Sequence, residues 1–161
     1  LTVTPTVLNA GFKANVVPEA ADGEVDVRKL PGQDEADVDD HLRKVMGPDL
    51  SGEIEVEPFL AFPANASPFA GALWEAIGDA AEVVAGHRRL LPAITPVATD
   101  ARFFRARDVV AYGVGLFDDD ATFGGMLSMF HGDDERVSEE SVGRTTEMLA
   151  LTLQRFGVRT G

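Results

Sequence analysis

The chain has 161 residues, 45% apolar and 25% charged, the make-up of a globular protein of one ordinary domain or two small ones. Its 27 acidic residues against 14 basic ones leave a net charge of −13, a surface that repels phosphate backbones and anionic lipids and so sets aside nucleic acid and membranes as partners. The absence of cysteine excludes disulfides, thiolate metal sites and cysteine nucleophiles, so any metal would need His, Asp and Glu.

No apolar run approaches the roughly 18 residues of a membrane span. The opening LTVTPTVL lacks the basic segment and apolar stretch of a signal peptide, and a cytoplasmic location is expected. Leu1 in place of Met points to a fragment.

TVTPTVLNA, Thr2 to Ala10, alternates and is rich in β-branched residues, which predicts a strand, with Pro5 placing it at an edge or a bulge. Asp22-Gly23 signals a tight turn, and EVDVRKL after it predicts a strand with Val25 and Val27 on one face and Glu24, Asp26 and Arg28 on the other. From Asp34 the period changes. Val38, Leu42, Val45 and Met46 form one stripe of a helix that Gly47 stops, and EIEVEPFLAF returns to strand with Ile54 and Val56 on one face. This first block suits a small antiparallel sheet with a helix on one side.

FPANASP, residues 62–68, reads as a linker, with Ser67 an N-cap and Pro68 the first helical residue. Phe69, Leu73, Ile77, Ala80 and Val84 form the stripe of the helix that follows, ended by Gly86. LLPAITPV and VVAYGVGLF predict strands buried on both faces, as in a sheet covered by helices, with TDARFFRAR between them as a short helix capped by Thr99. Residues 118–137 form a loop. Ser138 then caps a last helix with Glu139 and Glu140 in its first turn, the stripe Val142, Leu149, Leu153 and Phe156, and Gly157 as its stop.

The chemistry legible in single residues is thin. His41 lies on a charged helix face and His87 at a helix end, both ordinary surface positions. His131, in MFHGDDERVS, has Asp133, Asp134 and Glu135 close behind it, the kind of neighbour that fixes the tautomer of an imidazole ligand. One histidine without an HExxH pair is still not a site, because zinc takes three or four protein ligands. GVG at 113–115 is packing and FGGM at 123–126 a loop signal, and no GxSxG elbow appears. Arg28 carries a planar guanidinium suited to gripping a carboxylate, and a solvated arginine paired with a neighbouring acid is the alternative.

Taken together, NVVPEAADGEVDVRKLPG, VATDARFF and MFHGDDERVS resemble, in order and spacing, the C-terminal half of the dinuclear-metal hydrolases that include aminoacylase, carboxypeptidase G and succinyl-diaminopimelate desuccinylase. The alanine-, valine- and aspartate-rich style is similar to members from high-GC bacteria. The resemblance implies an α/β protein with an α+β lid: residues 1–63 as part of a ferredoxin-like lid used for dimerisation, and residues 64–161 as the end of a catalytic domain with a mixed sheet of zinc-exopeptidase type. It implies that His131 ligates a metal, that Arg28 and Asn15 bind the substrate's carboxylate, and that Thr99, Asp100 and Arg102 line the substrate pocket. Val97 and Ala98 stand where the family often has two glycines, which bears on close approach of backbone to substrate. The cofactor implied is a pair of zinc ions, with cobalt or manganese as substitutes, and the substrate a small peptide or N-acyl amino acid whose amide is attacked by a metal-activated water.

The family's other metal ligands and its general base lie upstream of the matching region, so the chain alone is expected to be inactive. Half a catalytic sheet leaves an edge and apolar helix faces uncovered, and a homo-oligomer through the lid or a missing N-terminal segment is expected. The alternative is a non-catalytic association or carboxylate-binding module derived from the same family.

Overall fold

A computed structural model describes residues 1–95 and 97–160, the last three as backbone only. The described residues form a two-stranded antiparallel sheet and five helices in the order β1 (Thr2–Ala10), β2 (Ala21–Arg28), α1 (Glu35–Ser51), α2 (Ala72–Ala85), α3 (Ala101–Arg105), α4 (Phe123–Met129) and α5 (Glu139–Thr160). They divide into two compact units, Leu1–Ala66 with Pro96–Val109, and Ser67–Thr95 with Val110–Gly161.

In the first unit β1 and β2 run antiparallel from Thr2 opposite Arg28 to Ala10 opposite Ala21, with the register slipping between Pro5 and Val7. Proline has no N–H to give to a ladder, and the bulge falls beside it. Asp22 and Gly23 do not form the expected turn. They pair with Asn9 and Leu8 inside the ladder, and the chain reverses earlier, over residues 11–20, where Gly11 has φ +72°. Helix α1 begins in a capping box: Asp34 accepts from the N–H groups of Ala36 and Asp37, and the Asp37 carboxylate accepts from the N–H of Asp34. Gly47, at φ +73° and ψ 172°, breaks the helical path ahead of Pro48, so the stop read at Gly47 is a kink after which helix resumes to Ser51. Val38, Leu42 and Met46 are half-buried at spacings of four, whereas Val45 is 71% exposed. Residues 53–62 form no strand. No neighbour lies alongside to complete a ladder among the described residues, and Ile54 and Val56 instead flank a shallow hollow with Leu42 and Met46.

The second unit is built on α2 packed against α5. Ala76, Ile77, Ala80 and Ala81 bury one face of α2, and Met148 is the large side chain of α5 that fills the contact. Small residues on α2 bring the helix backbones close, and Val84, Leu90, Val114, Leu116 and Leu151 close around the cluster. Gly86 in the left-handed conformation ends α2 as expected, its N–H bonded to the Glu82 carbonyl. The start of α2 differs from expectation. The N-cap is Gly71, while Ser67 is buried and spends its hydroxyl on both the carbonyl and the N–H of Ala111, each at 3.0 Å.

Neither LLPAITPV nor VVAYGVGLF enters a ladder. Leu91 and Ile94 are largely exposed, and Pro96 of the first segment lies outside the described residues. The second segment is extended without a neighbouring strand, and part of its backbone is bonded by helix hydroxyls. The Leu116 N–H donates to Thr145 Oγ1 at 3.0 Å, Thr145 Oγ1 donates to the Leu116 carbonyl at 3.1 Å, and the Asp118 N–H donates to Ser141 Oγ at 2.9 Å. The supposed loop 118–137 contains α4, capped by Thr122, whose hydroxyl accepts the Gly125 N–H. Helix α5 is capped by Ser138 as expected and continues through Gly157. Its buried face is another matter. Ser141, Met148 and Thr152 point inward; of the expected stripe Phe156 is half-buried, while Val142, Leu149 and Leu153 are 50%, 42% and 73% exposed.

Candidate functional site

Five of the six residues singled out in the sequence belong to the first unit, and His131 belongs to the second. Arg28 ends β2 and its Nε donates to the Asp26 carboxylate at 2.5 Å, with both side chains nearly half exposed. The neighbouring acid is therefore its partner. Asn15 lies exposed in the connection between β1 and β2, with no hydrogen bond to Arg28 among the described residues.

Thr99, Asp100 and Arg102 gather at the start of α3. The Thr99 carbonyl accepts the Arg102 N–H at 3.1 Å, and neither the Thr99 nor the Asp100 side chain caps the helix. Arg102 is the best-held of the group. Its guanidinium carbon sits 3.8 Å from the centroid of the Phe62 ring and 4.6 Å from that of Phe103, so the cation lies against two π faces. Its Nε is buried with no hydrogen-bond partner among the described residues. Asn65 ties the region together: its Nδ2 donates to the Arg102 carbonyl at 3.2 Å, and its Oδ1 accepts from Arg105 Nε at 2.7 Å. Sequence reasoning placed Asn65 in a linker and gave Phe62 no role. The Arg102 and Arg105 pair, three apart on a predicted helix, was the signal that an acceptor nearby would be needed.

His131 follows α4 and is exposed, with φ +59°. Its N–H donates to Glu135 Oε2 at 3.2 Å. Among the described residues no group of three or more His, Cys, Asp or Glu could hold a metal ion. These residues by themselves do not fit a metal centre.

The segment carrying His131 is closed at its base by Asp118, which sequence reasoning missed. The Asp118 carboxylate accepts from the hydroxyls of Ser138 and, at 3.2 Å, Ser141. Ser138 in turn accepts the Ser141 N–H as the cap of α5. Arg144 adds contacts to the Phe117 carbonyl at 3.3 Å and to Asp119 at 3.1 Å. The Ser-x-x-Ser spacing at 138–141, at the start of a helix, was the available clue. The Ser138 hydroxyl bond, above all, holds the Asp118 carboxyl below the usual carboxylate range, with burial opposing it and Ser141 assisting.

A depressed pKa in the folded state means that this carboxylate stabilises the fold above its unfolded value, near pH 4, and ceases to do so as pH falls through the lower folded value. Asp118→Asn should therefore be less stable than wild type at neutral pH, and the gap should narrow below about pH 4. Urea unfolding midpoints at pH 7 and pH 3 check this, and a gap that does not change with pH would count against it.

No helix among the described residues is long and apolar enough to cross a membrane. No curated protein and no solved structure matches the chain. The model of peptidase family M20/M25/M40 matches residues 1–155, a span that includes DVR at 26–28, TDAR at 99–102 and FHG at 130–132. With nearly its whole length matched, the chain belongs to peptidase family M20/M25/M40, a family of hydrolases.

Proposed function

We propose that the chain is the C-terminal portion of a metal-dependent exopeptidase or N-acyl-amino-acid amidohydrolase, and that it does not turn over substrate alone. Family membership over residues 1–155 carries the reading. In it, residues 1–63 are part of a lid, residues 64–161 the end of the catalytic domain, and His131 one ligand of a zinc pair whose other ligands come from elsewhere. Arg28, freed from Asp26, and Asn15 take the substrate carboxylate, while Arg102 with Thr99 and Asp100 lines the pocket. The two rings against Arg102 support that role, because they hold the guanidinium in place. In this reading the complete enzyme is cytoplasmic and a homo-oligomer, assembled through the lid or through a missing N-terminal segment.

The second reading is a non-catalytic association or carboxylate-binding module derived from the same family. Equilibrium dialysis against zinc with elemental analysis, on the chain and on His131→Ala, separates the possibilities. The expected result is no tight stoichiometric zinc on the chain alone, and no hydrolysis of dipeptides or N-acyl amino acids. Zinc retained stoichiometrically and lost in His131→Ala would show a self-sufficient site and overturn the incomplete-enzyme reading.

A further inference from the structure

His131 and Asp108 are the non-glycine residues with positive φ among the described residues, at +59° and +58°. The left-handed conformation brings Cβ against the following carbonyl, a cost of about 1–2 kcal/mol that histidine meets more often than most residues but that a local contact helps to offset. The turn at 129–135 supplies the hold. The Gly132 N–H donates to the Met129 carbonyl at 2.9 Å and the Glu135 N–H to the Gly132 carbonyl at 3.2 Å, which folds the Glu135 side chain back over the turn. Its Oε2 then accepts the main-chain N–H of His131 at 3.2 Å. Three acids follow the histidine, and it is Glu135, four residues on, that makes this contact. It takes the backbone rather than the ring, and neither ring nitrogen is hydrogen-bonded among the described residues.

We infer that Glu135 is the positioning residue for His131. Its carboxylate fixes the left-handed main chain and so the direction in which the imidazole leaves the turn, with both ring nitrogens uncommitted. The inference rests on the reading of His131 as a functional side chain, and it concerns only contacts within this chain.

The test is NMR on the uniformly labelled chain and on Glu135→Ala and Glu135→Gln. It reads hydrogen exchange of the His131 amide and its φ-sensitive HN–Hα coupling. Glu135→Ala should speed exchange of that amide about ten-fold, the scale of one lost bond to a charged acceptor, and move the coupling away from its left-handed value. Glu135→Gln, which keeps an acceptor oxygen at the same place, should recover both. Amides within α5 should not change, which separates a local hold from general loosening. An unaltered His131 amide in Glu135→Ala, or no recovery in Glu135→Gln, overturns the inference whatever the dialysis shows. Recovery in Glu135→Gln, beside stoichiometric zinc that persists in His131→Ala, sinks the ligand reading and leaves the hold intact.

Discussion

Met148→Ala is expected to destabilise the protein by about 2–3 kcal/mol, in the lower part of the range for emptying a core methionine site. Met148 is 2% exposed and faces Ala80 and Ala81, at 0% and 1%, which are too small to fill the space that it would leave. The effect stays in the lower part because Val84, Val114, Leu116 and Leu151 are only partly buried and can move inward. Leu153→Ala provides the contrast. Leu153 stands on the same helix at 73% exposure, and its truncation should cost no more than about 0.5 kcal/mol. Urea unfolding followed by circular dichroism measures both, with Met148→Leu, which conserves volume, below about 1.5 kcal/mol. If Leu153→Ala proved as costly as Met148→Ala, the inward face of α5 would be the apolar stripe and not the one described here.

Asp79→Ala should be the next most damaging, at about 2 kcal/mol, the scale of breaking a charged hydrogen-bond pair. Asp79 is 14% exposed in its side chain and lies on α2 between two cations. One carboxylate oxygen pairs with Arg88 and the other lies 3.8 Å from Arg155 on α5. Removing it withdraws the anion that joins the helices and leaves Arg88 to Glu75, whose side chain is 48% exposed. Solvent weakens that remaining pair. Asp79→Asn keeps the shape and loses the charge, so its deficit against wild type isolates the ionic part and the further loss in Asp79→Ala gives the rest. Thermal unfolding in low and in 1 M salt supplies the check: a deficit that vanished in salt would mean that Asp79 acts only as a screened surface charge.

The sequence revealed those elements whose signals are local. The Ser138 cap, the Gly86 stop and the strand Thr2–Ala10 each depend on a few adjacent residues, and each is where the pattern put it. Elements that depend on a distant partner were not legible. LLPAITPV and VVAYGVGLF have strand composition, but a strand is a pairing, and none is present for them among the described residues.

The face of α5 was misjudged for a related reason. Counting apolar residues chose Val142, Leu149, Leu153 and Phe156, of which Phe156 alone is half-buried, whereas hydroxyls can be buried at little cost once bonded. Ser141 and Thr145 bond the extended segment, and Thr152 bonds the Met148 carbonyl at 2.7 Å. Of the candidate site, residue types and order could be read from the motifs, which is enough for the family. The aromatic faces against Arg102 and the Asp118 anchor could not, since Phe62 is 40 residues before Arg102 and Asp118 is 20 before Ser138.

The hydroxyls on α5 have one more consequence. Laying a strand along a floppy chain is opposed by the conformational entropy that both must surrender. Here the stretch ending at Asp118 is already straightened, because Thr145 and Ser141 grip it from the helix and Ser67 grips it at Ala111. The main-chain groups of residues 112–115, between those grips, are bonded to nothing among the described residues. Any strand arriving there meets a preorganised template, and the cost of alignment falls on the newcomer alone.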